Sequence, residues 1–420
     1  MPASKPTVAF AGLGAMGYGM AAHLLNSGFP VVGYDVYSPP MDRFAAQGGA
    51  VAQTPREAVK EAEFLICMVA TSVQATPLIF DKIIGAVQGL RSDATIIMCA
   101  TVAPVYIEEL RKRLGEIRPD VRLIDSPVSG GAGRAADGTL SIFASGEETH
   151  LDHASLVLEC MSSKLYRIAG GLGGGSKVKM IHQIFAGVNI AMASEAMGLA
   201  ATAGLNTREA FDELRIRDGN SWMFSNRVPY MLDPTLGPYS AIDIIAKDVA
   251  IITKTSKEYG FPLPVLSTAA QLYILSVSSG WGKEDDCALL RLYLPRQFDL
   301  VHELVNASPD PRASGITIGD IETLMMGVHL AAVSEAMSFC ERLSIDVDLM
   351  FEIVSNAAGS SNIFLETFAD MRNGAWSLIA VKGIDQFRRR FSESIDRVSE
   401  LQYPLFMSSA ALQEFHRHLG

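Results

Sequence analysis

The stretch TVAFAGLGAMGYGMAAHLL, residues 7–25, decides the fold of this chain. Its glycines Gly12, Gly14 and Gly17 stand in G-x-G-x-x-G spacing between an apolar, β-rich run and a helix-forming run. In a strand–turn–helix unit the first glycine allows the tight turn, the second leaves room for a pyrophosphate, and the third lets the helix pack close to the strand. The N–H groups at the helix N-terminus then favour phosphate. Tight packing of a strand–helix turn is the alternative explanation of the same glycines.

An acidic residue follows the second predicted strand. Asp35 ends the run Val31–Tyr34 and lies 18 residues after Gly17. A carboxylate at this place accepts hydrogen bonds from the ribose hydroxyls of NAD and repels the 2′-phosphate of NADP. No arginine or lysine follows before Arg43, so the pattern favours NAD. The alternative is an aspartate that starts the Ser-Pro-Pro turn after it.

The composition is that of a globular protein large enough for two to three domains. The chain has 420 residues, of which 49% are hydrophobic and 19% charged. A net charge of −11 without a prominent basic patch argues against nucleic-acid binding. The mean hydropathy of +0.21 comes without 18 uninterrupted apolar residues, so we expect no membrane insertion.

Cysteine usage indicates a reducing compartment. The five cysteines are an odd number and lack C-x-x-C spacing, so we expect neither a disulfide framework nor a metal site. About six residues precede the first predicted strand, which leaves no room for a signal or transit peptide. These features predict a cytoplasmic protein.

Strand and helix signals alternate up to about residue 168, which predicts an α/β Rossmann-type doubly wound parallel sheet. The predicted strands cover residues 7–11, 31–34, 64–69, 95–99, 121–124 and 140–145. Ligands of such sheets bind beyond the carboxyl ends of the strands. Residues 69–71, Thr101 and 126–131 are therefore the segments where we expect a site.

A glycine hinge at 170–175 leads into a region of helical periodicity with almost no strand signal. The predicted helices cover residues 176–204, 207–214, 241–259 and 264–277. We expect two tandem all-α domains after the sheet. The predicted division is a Rossmann domain at 1–170, an all-α domain with the substrate site at 171–282, a linker at 283–315 and a second all-α domain at 316–420.

The helical region repeats itself at an offset of 140 residues. GVNIAMASEAMG at 187–198 matches GVHLAAVSEAMS at 327–338 with seven identities in twelve, and the same offset aligns Gly219 with Gly359. Coincidence between alanine-rich helices is the alternative. Because the matches continue in one order over about eighty residues, the pattern predicts a domain duplication.

A lysine and a histidine share a face of the helix predicted after the hinge. Lys179, His182 and Gln183 are spaced i, i+3 and i+4. A lysine at the sheet's carboxyl edge can exchange a proton with a substrate hydroxyl if burial or a neighbouring cation lowers its pKa. By spacing alone, Lys179 and Lys177 also suit solvated helix lysines, and His182 suits a structural polar residue.

Three motifs in this order make the chain resemble a known family, the β-hydroxyacid dehydrogenases, also called the 3-hydroxyisobutyrate dehydrogenase family. GLGAMG at 12–17 resembles its cofactor signature, DSPVSGG at 125–131 its substrate loop, and GLGGGSKVKMIHQ at 171–183 its hinge and catalytic-lysine helix. The resemblance covers about residues 5–280. The helical part is similar to the C-terminal domain of 6-phosphogluconate dehydrogenase.

The resemblance implies roles for individual residues. Lys179 matches the catalytic lysine, and Ser129, Gly130 and Gly131 match the loop that binds the substrate carboxylate. Gln74 stands where the family often has asparagine. The implied cofactor-binding residues are Gly12, Leu13, Gly14, Ala15, Met16, Gly17, Asp35, Val69, Ala70, Gln74, Thr101 and Lys247.

His182 departs from the family pattern, which usually has asparagine three residues after the lysine. The His-Gln form resembles the branch that acts on threonate-like sugar acids. The resemblance thus implies an NAD-dependent dehydrogenase of a four-carbon acid such as threonate or erythronate, with Lys179 as general acid/base and His182 and Gln183 at the substrate. A 3-hydroxyisobutyrate-like or tartronate-semialdehyde-like substrate is one alternative. A non-catalytic NAD sensor or interaction protein is the other class, and the imine reductases, built on a similar architecture, usually replace the lysine.

The second helical copy lacks the groups for this chemistry. At offset 140, Gly319 replaces Lys179 and Glu322 replaces His182. In the resembled family the helical domains pair between subunits. We therefore expect residues 316–420 to stand in for a partner's helical domain, in a monomer built as an intrachain pseudo-dimer or in a homodimer.

Overall fold

The computed structural model of the protein describes residues 5–307 and 314–419. The chain forms two compact units, residues 1–179 and 180–420. The helix that starts the helical region crosses from one unit into the other, since it runs without interruption over Gly174–Thr202.

The first unit contains a parallel six-stranded sheet in the order β3-β2-β1-β4-β5-β6. The strands are β1 Val8–Ala11, β2 Val31–Tyr34, β3 Ala50–Val51, β4 Phe64–Cys67, β5 Thr95–Met98 and β6 Arg122–Asp125. This order reverses between β1 and β4, which is the topological switch point of a Rossmann fold. The sheet confirms the Rossmann-type prediction. It also contains β3, a strand of only two residues that was not predicted.

Helices cover both faces of this sheet. They are α1 Ala15–Asn26, α2 Ser38–Ala46, α3 Pro55–Ala58, α4 Ser72–Phe80, α5 Pro104–Ile117, α6 Gly131–Ala136 and α7 Glu148–Cys160. Alternate residues of β1 enter different cores: Val8 and Phe10 pack on one face, Ala9 and Ala11 on the other. Burial on both faces explains why the strands are continuous apolar runs.

The strand predicted at 140–145 forms, but it does not join the main sheet. It is β8, Leu140–Ala144, in a second sheet with β7, Val128–Ser129, and β9, Ser162–Arg167. β7 pairs antiparallel to β8, whereas β9 pairs parallel to it. The prediction of one parallel sheet containing residues 140–145 is therefore wrong. Apolar strand patterns do not encode which neighbour a strand pairs with.

The second unit is helical, and its helices recur in the same order. The first series is α8 Gly174–Thr202, α9 Thr207–Leu214, α10 Trp222–Leu232, α11 Ile242–Glu258 and α12 Pro264–Ser278. The second series is α14 Ile318–Arg342, α15 Val347–Ser355, α16 Asn362–Asn373, α17 Ile384–Ser399 and α18 Phe406–Leu419. Equivalent serines cap equivalent helices, since Ser221 accepts from the Phe224 N–H and Ser361 from the Phe364 N–H, both at 3.2 Å.

The segment expected to be a linker contains structure of its own. A 3₁₀ stretch covers Asp286–Leu292, and the short helix α13, Leu300–Glu303, precedes a 3₁₀ turn at Leu304–Asn306. Pro309 and Pro311, within the predicted linker at 283–315, lie outside the described residues.

Among the described residues, two helices, α8 and α14, are long and apolar enough to cross a membrane by length and composition. Their most apolar windows are 100% and 83% buried inside the protein. Core helices of globular proteins have the same properties, so this is weak evidence for a membrane span.

Candidate active site

The glycine-rich turn has the geometry that its spacing predicts. Gly12 has φ +97°, and a Cβ there would lie 2.4 Å from the Met68 carbonyl oxygen. A Cβ on Gly17 would lie 1.9 Å from the Gly12 carbonyl oxygen, so only glycine lets α1 start this close to β1. A Cβ on Gly14, in contrast, would meet no atom within 4 Å. The backbone at Gly14 is therefore open to a ligand.

The first turn of α1 borders a cavity of about 620 Å³. The cavity is lined by Leu13, Gly14, Ala15, Tyr18, Gly19, Pro39, Pro40, Arg43, Ala132 and Ala136. The Tyr18 hydroxyl is buried and has no hydrogen-bond partner among the described residues. Because α1 also lacks a side-chain N-cap, its first N–H groups suit a phosphate. These observations fit a bound dinucleotide.

Asp35 lies beside this turn and holds it in place. Its carboxylate accepts the Leu13 N–H at 2.7 Å and the Tyr37 N–H at 3.0 Å. In the sequence, Arg43 follows Asp35 by eight residues and is not among the predicted cofactor-binding residues. The fold brings it back to the cavity, where its guanidinium lies 3.9 Å from the Tyr18 ring. Pro39 and Arg43 are one turn apart on α2 and therefore lie on the same face of the helix. This spacing could have indicated that Arg43 reaches the same cavity as Pro39.

The remaining residues of the first unit that are predicted to bind the cofactor follow β4 and β5. Val69 and Ala70 come after β4 and Thr101 after β5. Gln74 is exposed, and its side-chain oxygen accepts the Ala70 N–H at 2.9 Å. In this structure Gln74 therefore braces the loop, and its role toward the cofactor stays a prediction.

The loop expected to bind a carboxylate runs from β7 into α6. Ser129 is buried, and Gly130 and Gly131 have φ of +143° and +75°. Both values lie in the region that glycine tolerates and other residues rarely adopt. The Arg134 guanidinium donates to the Thr139 carbonyl at 2.7 Å, which ties α6 to the turn that follows it.

A buried carboxylate that is not among the predicted site residues fixes the start of α8. Asp125, at the end of β6, accepts the Ser176 N–H and the Ser176 hydroxyl, each at 2.7 Å. The Ser145 hydroxyl donates to it at 3.3 Å and accepts the Gly175 N–H at 2.9 Å. Burial raises the pKa of Asp125 to about 6, and these hydrogen bonds act in the opposite direction. In the sequence, the position of Asp125 as the first residue of the DSPVSGG motif could have drawn attention to this carboxylate.

Lys179 comes one turn after this anchor. Its side chain is 6% exposed, so it is not the solvated lysine that its spacing also allowed. Three residues later on the same helix, His182 is 1% exposed. Their i, i+3 spacing on a continuous helix directs both side chains to one face of α8.

A hydrogen-bonded chain in the second unit links three of the predicted site residues. The Gln183 side-chain oxygen lies 3.0 Å from His182 Nδ1, and its Nε2 donates to Asp248 at 2.6 Å. Asp248 also pairs with Lys247 Nζ at 3.0 Å. Because Gln183 donates to the carboxylate, its oxygen accepts from His182, so Nδ1 carries a proton. In the neutral ring the lone pair is then on Nε2.

A group of potential metal ligands lies elsewhere in the second unit. One ligand atom each of Asp285, Asp286 and Cys287 lies within 4.8 Å of the others. Asp286 already pairs with the Arg227 guanidinium at 2.7 and 3.0 Å, and Asp285 accepts the Tyr239 and Ser240 N–H groups. These contacts give both carboxylates a structural role.

The fold and the site define an NAD-dependent oxidoreductase, and comparison with known proteins gives its family. A family model described as the NAD binding domain of 6-phosphogluconate dehydrogenase matches residues 7–170. A second, described as the NAD-binding domain of NADP-dependent 3-hydroxyisobutyrate dehydrogenase, matches residues 173–293 and 314–416. The second model therefore matches both helical series.

Relatives agree with these matches. An L-threonate dehydrogenase of Cupriavidus necator is 38% identical over 67% of this chain and 94% of its own length. The crystal structure of a 3-hydroxyisobutyrate dehydrogenase from Salmonella typhimurium is 35% identical and covers 69% of this chain and 100% of its own, with a TM-score of 0.64. The chain belongs to the 3-hydroxyisobutyrate dehydrogenase family and is an NAD-dependent hydroxyacid dehydrogenase.

One solved structure matches nearly the whole length. A 6-phosphogluconate dehydrogenase from Plasmodium falciparum covers 99% of this chain and 93% of its own, with a TM-score of 0.70 at 16% identity. At this identity the likeness concerns the fold alone. It extends over both helical series.

Proposed function

We propose that the protein oxidises a four-carbon sugar acid such as threonate or erythronate with NAD, using Lys179 as general acid/base. One observation carries the proposal: a buried lysine lies one helical turn before a buried histidine whose Nδ1 is held by Gln183. A lysine amine in its neutral form can accept the proton of a substrate hydroxyl. The relative from Cupriavidus necator, named for L-threonate, supports this substrate class.

The residues divide the work by their chemistry. The backbone N–H groups at Ser129, Gly130 and Gly131 bind the substrate carboxylate. Lys179 accepts the proton of the hydroxyl that is oxidised, and His182 Nε2 accepts a hydrogen bond from a neighbouring hydroxyl. That second hydroxyl is what a sugar acid has and a branched aliphatic hydroxy acid lacks.

Oxidation converts the carbinol to a carbonyl by breaking one O–H and one C–H bond. The Gly12–Gly17 turn and Asp35 would hold NAD, which would supply the hydride acceptor when bound. Val69, Ala70, Gln74, Thr101 and Lys247 complete the proposed cofactor site. The chain itself fixes the carboxylate, removes the hydroxyl proton at Lys179 and excludes water from the buried helix face.

A 3-hydroxyisobutyrate-like substrate is the second candidate, since the Salmonella typhimurium structure at 35% identity carries that name. A tartronate-semialdehyde-like substrate belongs to the same candidate group. These acids place fewer hydroxyls opposite His182. The substrate preference therefore separates the two proposals.

The test is a panel of hydroxy acids assayed by NADH absorbance, with NAD⁺ and NADP⁺ side by side. The proposal expects L-threonate or D-erythronate to give a higher kcat/KM than 3-hydroxyisobutyrate, and NAD⁺ to be preferred. His182→Asn should reduce the difference in kcat/KM between the sugar acids and 3-hydroxyisobutyrate. A higher kcat/KM for 3-hydroxyisobutyrate in the wild type would reject the sugar-acid assignment.

We further propose that residues 316–420 replace a partner's helical domain, so that the cytoplasmic protein is a monomer built as an intrachain pseudo-dimer. The domain division at residues 170, 282 and 315 belongs to this proposal. The serine caps at equivalent positions of both helical series support it. Light scattering at micromolar concentration should give the mass of one chain, 45.2 kDa. A mass of twice this value would favour the homodimer.

A further inference from the structure

The two helical series meet through equivalent loops that pair with each other. Ser221 and Ser361, equivalent at offset 140, form an antiparallel bridge. The Trp222 N–H donates to the Ser360 carbonyl at 2.9 Å, and the Asn362 N–H donates to the Asn220 carbonyl at 3.0 Å. Each bond is the image of the other at that offset. The loop before α10 therefore meets the loop before α16.

Each of these loops packs on the long helix of the other series. A Cβ on Gly359 would lie 3.2 Å from the Phe185 Cβ and 3.5 Å from Cδ2 of the His182 ring. The Gly359 carbonyl also accepts the Asn189 side-chain N–H at 3.4 Å. A loop of the second series is thus in contact with the face of α8 that carries His182.

The equivalent contact at the 140-residue offset, between the loop that contains Gly219 and α14, has different chemistry. A Cβ on Gly219 would lie 3.1 Å from the Glu322 carbonyl oxygen and 3.3 Å from the Met325 Cβ on α14. Arg217, in the same loop, donates to the Glu322 carboxylate at 3.0 Å. Ala357 takes the place of Arg217 in the other loop. One contact is therefore an ion pair, whereas the loop against His182 brings no charge at this position.

We propose that Gly359 is a positioning residue for His182, so that the second helical series completes the substrate side of the active site. The inference rests on the proposed function of His182. Without a Cβ at position 359, the loop fits closely against the Phe185 Cβ, which lies about one turn after His182 on α8, and it contacts the His182 ring at ordinary van der Waals distance. Because Gln183 holds Nδ1 from the other direction, the ring is fixed between Gln183 and this loop. The second series then contributes to activity as well as to stability.

The test compares Gly359→Ala with its image, Gly219→Ala. Both add one methyl group at a contact of 3.1–3.2 Å, closer than a Cβ ordinarily approaches; in Gly359→Ala this contact is with the Phe185 Cβ, so α8 must shift next to His182. Gly359 has no left-handed φ, so alanine brings no backbone strain there. We expect Gly359→Ala to lower kcat/KM for the preferred hydroxy acid about tenfold, since small displacements in an active site are costly. Gly219→Ala should change kcat/KM by less than about twofold. The two variants should have similar melting temperatures.

A double-mutant cycle shows whether the effect passes through His182. In the His182→Asn background, Gly359→Ala should change kcat/KM by less than about twofold. Full additivity of the two effects would overturn the proposal. An equal loss of activity in Gly219→Ala would also overturn it, because the effect would then come from stability alone.

A readout independent of turnover keeps the test decisive. With ring-labelled histidine, the NMR signal of His182, assigned through His182→Asn, should shift in Gly359→Ala and stay unchanged in Gly219→Ala. An unchanged signal in Gly359→Ala rejects the positioning role. If the wild type oxidises no hydroxy acid of the panel, the proposed function fails, while this spectrum still decides the role of Gly359.

Discussion

At the residue scale, Lys179 and Lys177 show how position on one helix separates two lysines. Lys179 is 6% exposed, whereas Lys177, on the preceding half-turn, is only partly buried. A lysine ammonium loses hydration when it is buried, and lysines are rarely buried in proteins. The burial of Lys179 beside His182 is therefore the feature that favours a chemical role.

Replacing Lys179 should remove the proton acceptor. We expect Lys179→Ala to lower kcat by about a hundredfold or more, which is the usual scale of a general acid–base group. The matched control is Lys177→Ala, which removes a lysine from the same helix and should keep kcat within about twofold. Steady-state assays with saturating NAD⁺ measure both. Wild-type turnover in Lys179→Ala would exclude its role.

At the element scale, α8 owes its position to one carboxylate. The N–H and hydroxyl of Ser176 bind Asp125, and the Ser145 hydroxyl binds both Asp125 and the Gly175 N–H. The helix therefore begins at a fixed place relative to the end of β6. Lys179 lies within the next turn, so this anchor determines where its amine lies relative to the sheet.

Asp125→Asn should loosen the start of α8. The amide that replaces one carboxylate oxygen would face N–H and O–H donors, and an unmade buried hydrogen bond costs about 1–3 kcal/mol. We expect a loss of stability of this size in urea unfolding, together with a lower kcat. The control is Asp81→Asn, since Asp81, which is only partly buried, also accepts two backbone N–H groups, from Ile83 and Ile84. An Asp125→Asn enzyme with unchanged kcat would contradict the anchoring role.

At the scale of the whole molecule, the two helical series are interlocked by a pair of buried glutamates. Glu195 on α8 accepts the Met407 and Ser408 N–H groups at 2.7 and 3.0 Å. Its image Glu335 on α14 accepts the Val265 and Leu266 N–H groups at 2.6 and 3.2 Å. Each glutamate thus caps the last helix of the opposite series. The two series share their helix caps and are not independent bodies.

These glutamates make stability depend on pH. Burial raises the pKa of Glu195 to about 7 and that of Glu335 to about 8, from 4.5. Between pH 4.5 and these values the folded protein holds protons that the unfolded chain has released. Stability from this source is complete below pH 4.5 and is lost as the pH rises through 7 and 8, at roughly 1 kcal/mol per pH unit per proton.

We expect the free energy of unfolding to fall between pH 5 and pH 8.5. Glu195→Gln and Glu335→Gln should each reduce this slope, because glutamine does not titrate. Glu341→Gln, at an exposed position of α14, should leave the slope unchanged. Urea titrations at several pH values measure it. Equal slopes in the wild type and both buried-site variants would refute the assignment.

Much of the fold could be predicted because local signals were strong. The apolar runs gave β1, β2, β4, β5 and β6 to within about two residues, and the 140-residue offset gave the second helical series. The strands that the sequence argument missed, β3, β7 and β9, are two residues long or largely polar. Such strands exist because a neighbouring strand offers hydrogen bonds, which no local pattern records.

The candidate site divides in the same way. Gly12, Asp35, Lys179 and His182 stood out by type and spacing, and their assigned roles stay proposals. The proposed contribution of Gly359 could not be predicted from the sequence. It depends on the contact of Gly359 with α8, for example with Asn189, which is 170 residues away in the sequence.

By itself, the sequence determined the Rossmann sheet, the glycine turn, the helical repeat and the placement of Lys179 one turn before His182. These follow from short-range sterics and from the periodicity of apolar residues. Only the tertiary structure decided that Asp125 anchors α8, that Glu195 and Glu335 exchange helix caps, and that Gly359 meets the His182 ring. The physical reason is that a buried hydrogen bond or a missing Cβ takes its meaning from its partner, and long-range folding alone selects that partner.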